Sequence, residues 1–181
     1  MIAADSRTLQ AAASMSLTGL MVVAAWSDLR TRRIPNQLTI AGLVAALLVR
    51  SLFGWPALSA GVQGAGLALA AGFVLYAIGA MGAGDAKLLG AMGAFMGPDN
   101  LIGALALIMI AGMIVAVVSV ARKGLLPLLL VNTLDLFRSW KIFGGDGQGR
   151  RLTSPGALTV PYGVPIALGT LVWWFAGGVR I

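Results

Sequence analysis

The chain has 181 residues, of which 59% are hydrophobic and 10% charged, with a net charge of +7 and a mean hydropathy of +0.91. A soluble domain carries about 25% charged residues, and a disordered chain pairs low hydropathy with high charge, so both are excluded in favour of an integral membrane protein. Its acidic residues are Asp5, Asp28, Asp85, Asp99, Asp135 and Asp146, with no Glu, His or Cys, which excludes a Ser-His dyad, a thiolate nucleophile, disulfides and Cys or His metal clusters.

A membrane span needs roughly 20 apolar residues. Taken in order, the apolar stretches predict spans at 9–27, 38–53, 57–80, 87–98, 101–121 and 156–178. The first is expected to remain as a helix rather than be cleaved as a signal peptide, because Asp5 sits beside Arg7 ahead of it and no small-x-small site follows it before Trp26. The fourth is short, and is expected to cross as a tilted helix borrowing from Pro98 to Asn100. Ala60 with Gly64, Ala68 with Gly72, and Gly93 with Gly97 put small residues at four-residue spacing, which lets helices approach closely in lipid. The fold expected is therefore all-α, a single membrane-embedded domain over 1–181 with a bundle of about six transmembrane helices. A linker at 122–155, cytoplasmic or interfacial, precedes the last helix; it holds an interfacial helix over 125–143 and a polar tip at GGDGQGRR.

Charge placement sets the orientation. Arg30, Arg32 and Arg33 follow the first span, Lys87 opens the fourth, and Arg122, Lys123, Arg138, Lys141, Arg150 and Arg151 precede the last. With six spans and the N-terminus outside, all ten fall on the cytoplasmic side by the positive-inside rule, leaving Arg7, Arg50 and Arg180 on or near the far side. The basic excess is thus read as topology and contact with membrane lipid, and nucleic acid is not expected as a partner.

Two polar segments lie on that cytoplasmic side: Ser27 to Asn36, with Asp28, Pro35 and Asn36, and Gly82 to Lys87, with Gly84 and Asp85 between. A packed bundle can bring Asp28 and Asp85 together at one depth. Like charges sharing a site do not both ionise readily, so one carboxylate can serve as base toward water while the other protonates a carbonyl. Gly82 and Gly84 offer backbone freedom and room for an extended substrate beside Asp85. The plain structural roles stand beside this: Asp28 as a solvated boundary residue, Asp85 as a helix cap, Lys87 as a topology anchor, and the five Trp as interfacial belt residues.

The chain resembles the type IV prepilin peptidases, intramembrane aspartyl proteases of the GxGD class. The resemblance rests on SDLRTRRIPNQLT (27–39), GAGDAKLLGAMGAFMG (82–97) and VPYGVPIALG (160–169), the last containing Pro161, Tyr162 and Gly163. It implies Asp28 and Asp85 as the catalytic pair, working without metal or organic cofactor. The same resemblance makes Gly82, Gly84, Lys87, Pro35, Asn36, Pro161, Tyr162 and Gly163 supporting or substrate-binding residues.

The implied reaction is removal of class III signal peptides from prepilins or pseudopilins, after a Gly and ahead of the pilin's hydrophobic helix, at the cytoplasmic face of the bacterial inner membrane. The partners implied are the substrate's leader and transmembrane helix. The larger bifunctional relatives carry paired CxxC motifs and methylate the new N-terminus. This cysteine-free chain is similar instead to the short, peptidase-only type that accompanies tight-adherence (Flp) pili, so no methyltransferase activity is expected. Two readings from other classes remain: a small transporter or channel component, since intramembrane carboxylates also relay protons, and a structural subunit of a secretion system.

Overall fold

The structure is a computed structural model that describes residues 6–122, 162–177, 179 and 181. Every regular element among them is helical: α1 (Ser6–Thr31), α2 (Asn36–Leu52), α3 (Trp55–Ala77), α4 (Ala83–Arg122) and α5 (Gly163–Ala176). The chain divides into two compact units, Met1–Gly112 with Pro161–Ile181, and Met113–Val160. In the second unit the described residues are the end of α4, from Met113 to Arg122. The expected interfacial helix at 125–143, the polar tip and the N-terminal part of the span at 156–178 lie outside the described residues.

The expected count of about six spans is corrected. Five helices are present among the described residues, and three of them, α1, α3 and α4, are long and apolar enough to cross a membrane. The 17 residues of α2 and 14 of α5, at about 1.5 Å each, reach only about 26 and 21 Å against about 30 Å of hydrocarbon. The fourth and fifth expected spans belong to one 40-residue element, α4, interrupted at Gly97 (φ 70, ψ 173) with Pro98 immediately after. A positive φ is open to glycine at little cost, and proline is accommodated in a first helical turn because it has no N–H to lose there. The helix therefore does not run on through Pro98 to Asn100, as the sequence suggested; it breaks at Gly97 and restarts.

The two arms of α4 run in opposite senses. Asp85 opens the first arm near Asp28, and that arm ends with the Phe95 carbonyl accepting a hydrogen bond from Arg50 Nη2 at 2.8 Å. The second arm returns alongside α5, meeting it where Gly103 packs on Trp173, Gly169 on Ile108 and Gly112 on Pro165. Leu88, Leu89, Ala91, Met92, Ala94, Phe95 and Met96 of the first arm are each no more than 1% exposed, so this arm is the buried centre of its unit. A helix apolar on all sides is suited to such a position. Outside it, Val22, Ile40, Leu48, Phe73, Ile102 and Met109 are exposed, an apolar exterior that matches lipid rather than water.

Small residues account for the close packing around the central arm. Gly64 of α3 lies directly on the Gly93 carbonyl, and Gly72 lies against Ala86, where an added Cβ would come within 2.9 Å of the Ala86 Cα. All three small-residue pairs recognised in the sequence thus mark where α3 meets the first arm of α4. α5 is held on α1 by Trp174 Nε1 donating to Ser14 Oγ at 2.9 Å, and Gln10 bonds both the Val179 carbonyl (2.8 Å) and the Ile181 N–H (3.1 Å). Trp174 also stands edge-on to Phe95 with ring centroids 6.5 Å apart.

At the end of the bundle away from Asp28, Arg50 is 4% exposed and donates to the carbonyls of Ala57 (2.9 Å) and Phe95 (2.8 Å). It ties α2, the first turn of α3 and the end of the first α4 arm together, and it supplies a donor to the Phe95 carbonyl just before the helix break. An unpartnered buried carbonyl costs about 1–3 kcal/mol. Arg50→Met, which keeps the stem and removes the donors, is expected to lower stability by about 2–4 kcal/mol, read as an earlier thermal transition of the purified protein in detergent. An unchanged transition would show that these two bonds contribute nothing net.

Candidate active site

The first candidate segment is shaped by the way α1 ends. Arg32 takes a positive φ of 54 and its N–H returns to the Asp28 carbonyl at 2.9 Å, while Ser27 Oγ and Thr31 Oγ1 donate to the Arg33 carbonyl at 2.8 and 3.2 Å. A left-handed residue of this kind is a common helix terminator. Proline biases the residue before it away from helix; Ile34 accordingly joins the two helices, and Pro35 (φ −62, ψ 137) is the N-cap of α2 with its carbonyl accepting from Leu38 and Thr39. Ile34 is buried, and Gly84 packs on it, an added Cβ falling 3.3 Å from Ile34 Cβ. The Ile-Pro-Asn segment is thus the surface against which the first turn of α4 is set. Arg30 stacks over the Trp26 ring at 4.4 Å, a cation–π contact at the same end.

The second segment is a helix start. Gly82 precedes α4, Asp85 sits in its first turn, and Asp85 Oδ2 accepts the Gly82 N–H at 3.2 Å. This is the acidic half of a capping box, in which the third helical residue reaches back to the N-cap N–H. Helix α4 begins at Ala83, four residues ahead of the span expected from Lys87, and Asp85 lies in its first turn, in keeping with the cap role open to it in the sequence. Neither Gly82 nor Gly84 uses a positive φ; among the described residues Gly54, Gly79 and Gly97 do. What the two glycines contribute is space, for the Asp85 carboxylate at Gly82 and for Ile34 at Gly84.

Asp28 is 6% exposed near the end of α1, and its Oδ2 accepts the N–H of Gly163, the first residue of α5, at 2.8 Å. Asp85 is half-buried at the same end of the bundle, where the adjacent Gly84 packs on Ile34 of the segment that follows α1. Two carboxylates from helices far apart in sequence thus share one end of the bundle, each with an oxygen on a backbone N–H. Lys87 Nζ donates to Asn36 Oδ1 at 2.8 Å, joining the first turn of α4 to the first residue of α2. Tyr162 precedes α5 and is exposed, its carbonyl accepting the Ile166 N–H. Pro161 lies outside the described residues.

The structure therefore brings Asp28, Asp85, Gly82, Gly84, Lys87, Asn36, Pro35 and Gly163 to one end. Asp99 is at the opposite end, beside Arg50 and Pro98. Ile34 is the participant that sequence reasoning passed over; its place before Pro35 was the available signal.

The family model described as the type IV leader peptidase family matches residues 15–117, more than half of the chain. The match includes Asp28, Pro35, Asn36, Gly82, Gly84, Asp85 and Lys87, and stops short of α5. No curated protein and no solved structure matches the chain.

Proposed function

The chain belongs to the type IV leader peptidase family, whose members are aspartic-type proteases, and from that premise we propose that it removes class III leader peptides from prepilins or pseudopilins with Asp28 and Asp85 as the catalytic pair. The observation that carries this reading is that these two carboxylates stand at one end of an apolar bundle, each with one oxygen on a backbone N–H.

In the proposed mechanism one carboxylate takes a proton from water as the water oxygen attacks the scissile carbonyl carbon. Its partner gives a proton to the carbonyl oxygen. The tetrahedral adduct then collapses as the departing amine takes up a proton and the C–N bond breaks, which returns both carboxyl groups to their starting forms. Asp28 is held by α5 and Asp85 by the α4 cap, so neither must be ordered when substrate arrives, which is where oriented groups gain their advantage. This chemistry asks for no metal and no organic cofactor. The cysteine-free composition supports the tight-adherence type of peptidase, without methyl transfer, as the finer part of the proposal.

The test is incubation of the purified protein with a peptide carrying a class III leader and its following hydrophobic segment. Cleavage after the Gly that ends the leader, undiminished by EDTA, is the expected result. An intact peptide, or EDTA inhibition reversed by added metal, would overturn the proposal.

We place the site at the cytoplasmic face of the inner membrane, because Arg30, Arg32, Arg33 and Lys87 gather at the Asp28 end of the helices. The chain has no native Cys, so single cysteines introduced at Arg33 and Trp55, both exposed, can be labelled without background. In intact cells a membrane-impermeant thiol reagent should reach the Trp55→Cys protein, whereas the Arg33→Cys protein should react only after the membrane is opened. The reverse pattern would invert the orientation.

A further inference from the structure

Helices α2 and α3 are joined by a tight turn at Phe53 and Gly54. Toward the other end of the bundle, a cavity of about 260 Å³ opens between them, backed by the first arm of α4. Ile40, Leu69, Gly66 and Gly90 line it, together with the polar Asn36 and Lys87. Ile40 and Leu69 are 60% and 46% exposed, and nothing lies within 4 Å of where a Gly66 Cβ would be. The remaining glycines of α3, by contrast, are packed closely: Gly61 on Arg50, Gly64 on Gly93 and Gly72 on Ala86.

Resting on the function proposed above, we propose that this groove receives the substrate's membrane helix, taking its apolar side chains between Ile40 and Leu69 so that the chain leaves the groove beside the candidate aspartates. Three features select that occupant. The lining includes the small residues Ala65, Gly66, Gly90 and Ala91, and in lipid helices associate through close packing on small residues rather than through a hydrophobic driving force. Its polar residues include Lys87, two residues from Asp85, so that a chain leaving beside it meets the first turn of α4. Finally, the Lys87 ammonium has three donors and its hydrogen bond to Asn36 uses one. Peptide carbonyls are freed where a helix unwinds toward a scissile bond, and the other donors are suited to them.

The open space at Gly66 supplies the test, because a side chain added there fills the groove without striking the fold. Gly66→Phe is compared with Gly19→Phe, an equally open position on α1 outside the groove. Each is assayed on a full substrate with its membrane helix and on a short leader peptide that ends soon after the scissile bond. The expected result is a KM for the full substrate raised by about tenfold or more in Gly66→Phe, with the short peptide cleaved at the wild-type rate and Gly19→Phe unchanged on both. As a second measurement, a single Cys at Ile40 should form a disulfide with a Cys on the substrate helix in preference to one at Gly19. Equal KM values together with no preferential disulfide would overturn the inference and leave the groove to lipid chains. Failure of the wild-type protein to cleave either substrate would instead overturn the function on which the inference rests.

Discussion

Asp28→Asn and Asp85→Asn are each expected to reduce leader cleavage by about 10²–10⁴-fold or more, the range over which a positioned acid or base acts. The geometry makes these clean tests. Asn keeps an oxygen acceptor, so the amide introduced by Asp28→Asn can still receive the Gly163 N–H, and that introduced by Asp85→Asn the Gly82 N–H. The helix starts of α5 and α4 therefore remain satisfied. Loss of cleavage then reports the lost proton chemistry rather than a lost cap. Because two carboxylates sharing one water act as a unit, the double variant should be no worse than the poorer single. Thermal transitions in detergent should stay within about 1 kcal/mol of wild type, as conserved hydrogen bonding implies. A single variant that keeps a tenth of the wild-type rate would remove the dyad from the mechanism.

The candidate pair could be named from the sequence because composition left so little else. With no His, Cys or Glu, a carboxylate pair was among the few catalytic devices available, and the polar segments around Asp28 and Asp85 interrupt otherwise apolar stretches. The all-helical class was legible from hydropathy for the same reason.

The span count was harder to read, because a window of apolar residues does not say how much of it will be helix: α2 and α5 have 17 and 14 helical residues. The break inside Ala83–Arg122 was legible as Pro98, Asp99 and Asn100 between two apolar runs, although the positive φ that makes it falls at Gly97. The start of α4 was legible at Asp85, read as a helix cap, though not the residue at which the helix begins. Gly-Ala-Gly-Asp looks like loop by propensity, yet Asp85 bonding back to Gly82 turns it into a helix start. Nothing in spacing alone could have placed Gly163 on Asp28, 135 residues away, because that meeting depends on how α5 is hung from α1 through Trp174, Ser14 and Gln10. The groove between α2 and α3 was equally hidden, because it depends on how both helices pack against the first arm of α4.

Gly163→Ala is expected to lower cleavage by about a hundredfold while leaving the chain folded. A Cβ on Gly163 would fall 2.9 Å from Asp28 Cβ and 3.0 Å from Oδ2, closer than real Cβ contacts allow, so either α5 or the Asp28 side chain must move. α5 has little freedom, because Trp174 is pinned to Ser14 and Gly169 lies on the backbone of Ile108. The strain therefore falls on Asp28, whose carboxylate is displaced from the Gly163 N–H and from its setting against Asp85. A misplacement of about 1 Å at a catalytic group can cost 10²-fold, and here it should appear in kcat rather than in KM, since Gly163 is argued to act through Asp28 and not through substrate contact. Ala also favours helix over Gly by up to about 1 kcal/mol, so a destabilised helix is not the expected cause of the loss. Gly19→Ala, with open space around its Cβ, is the matched control and should cleave at the wild-type rate. Wild-type kcat in Gly163→Ala would mean that the Asp28 carboxylate does not need the seat that α5 gives it.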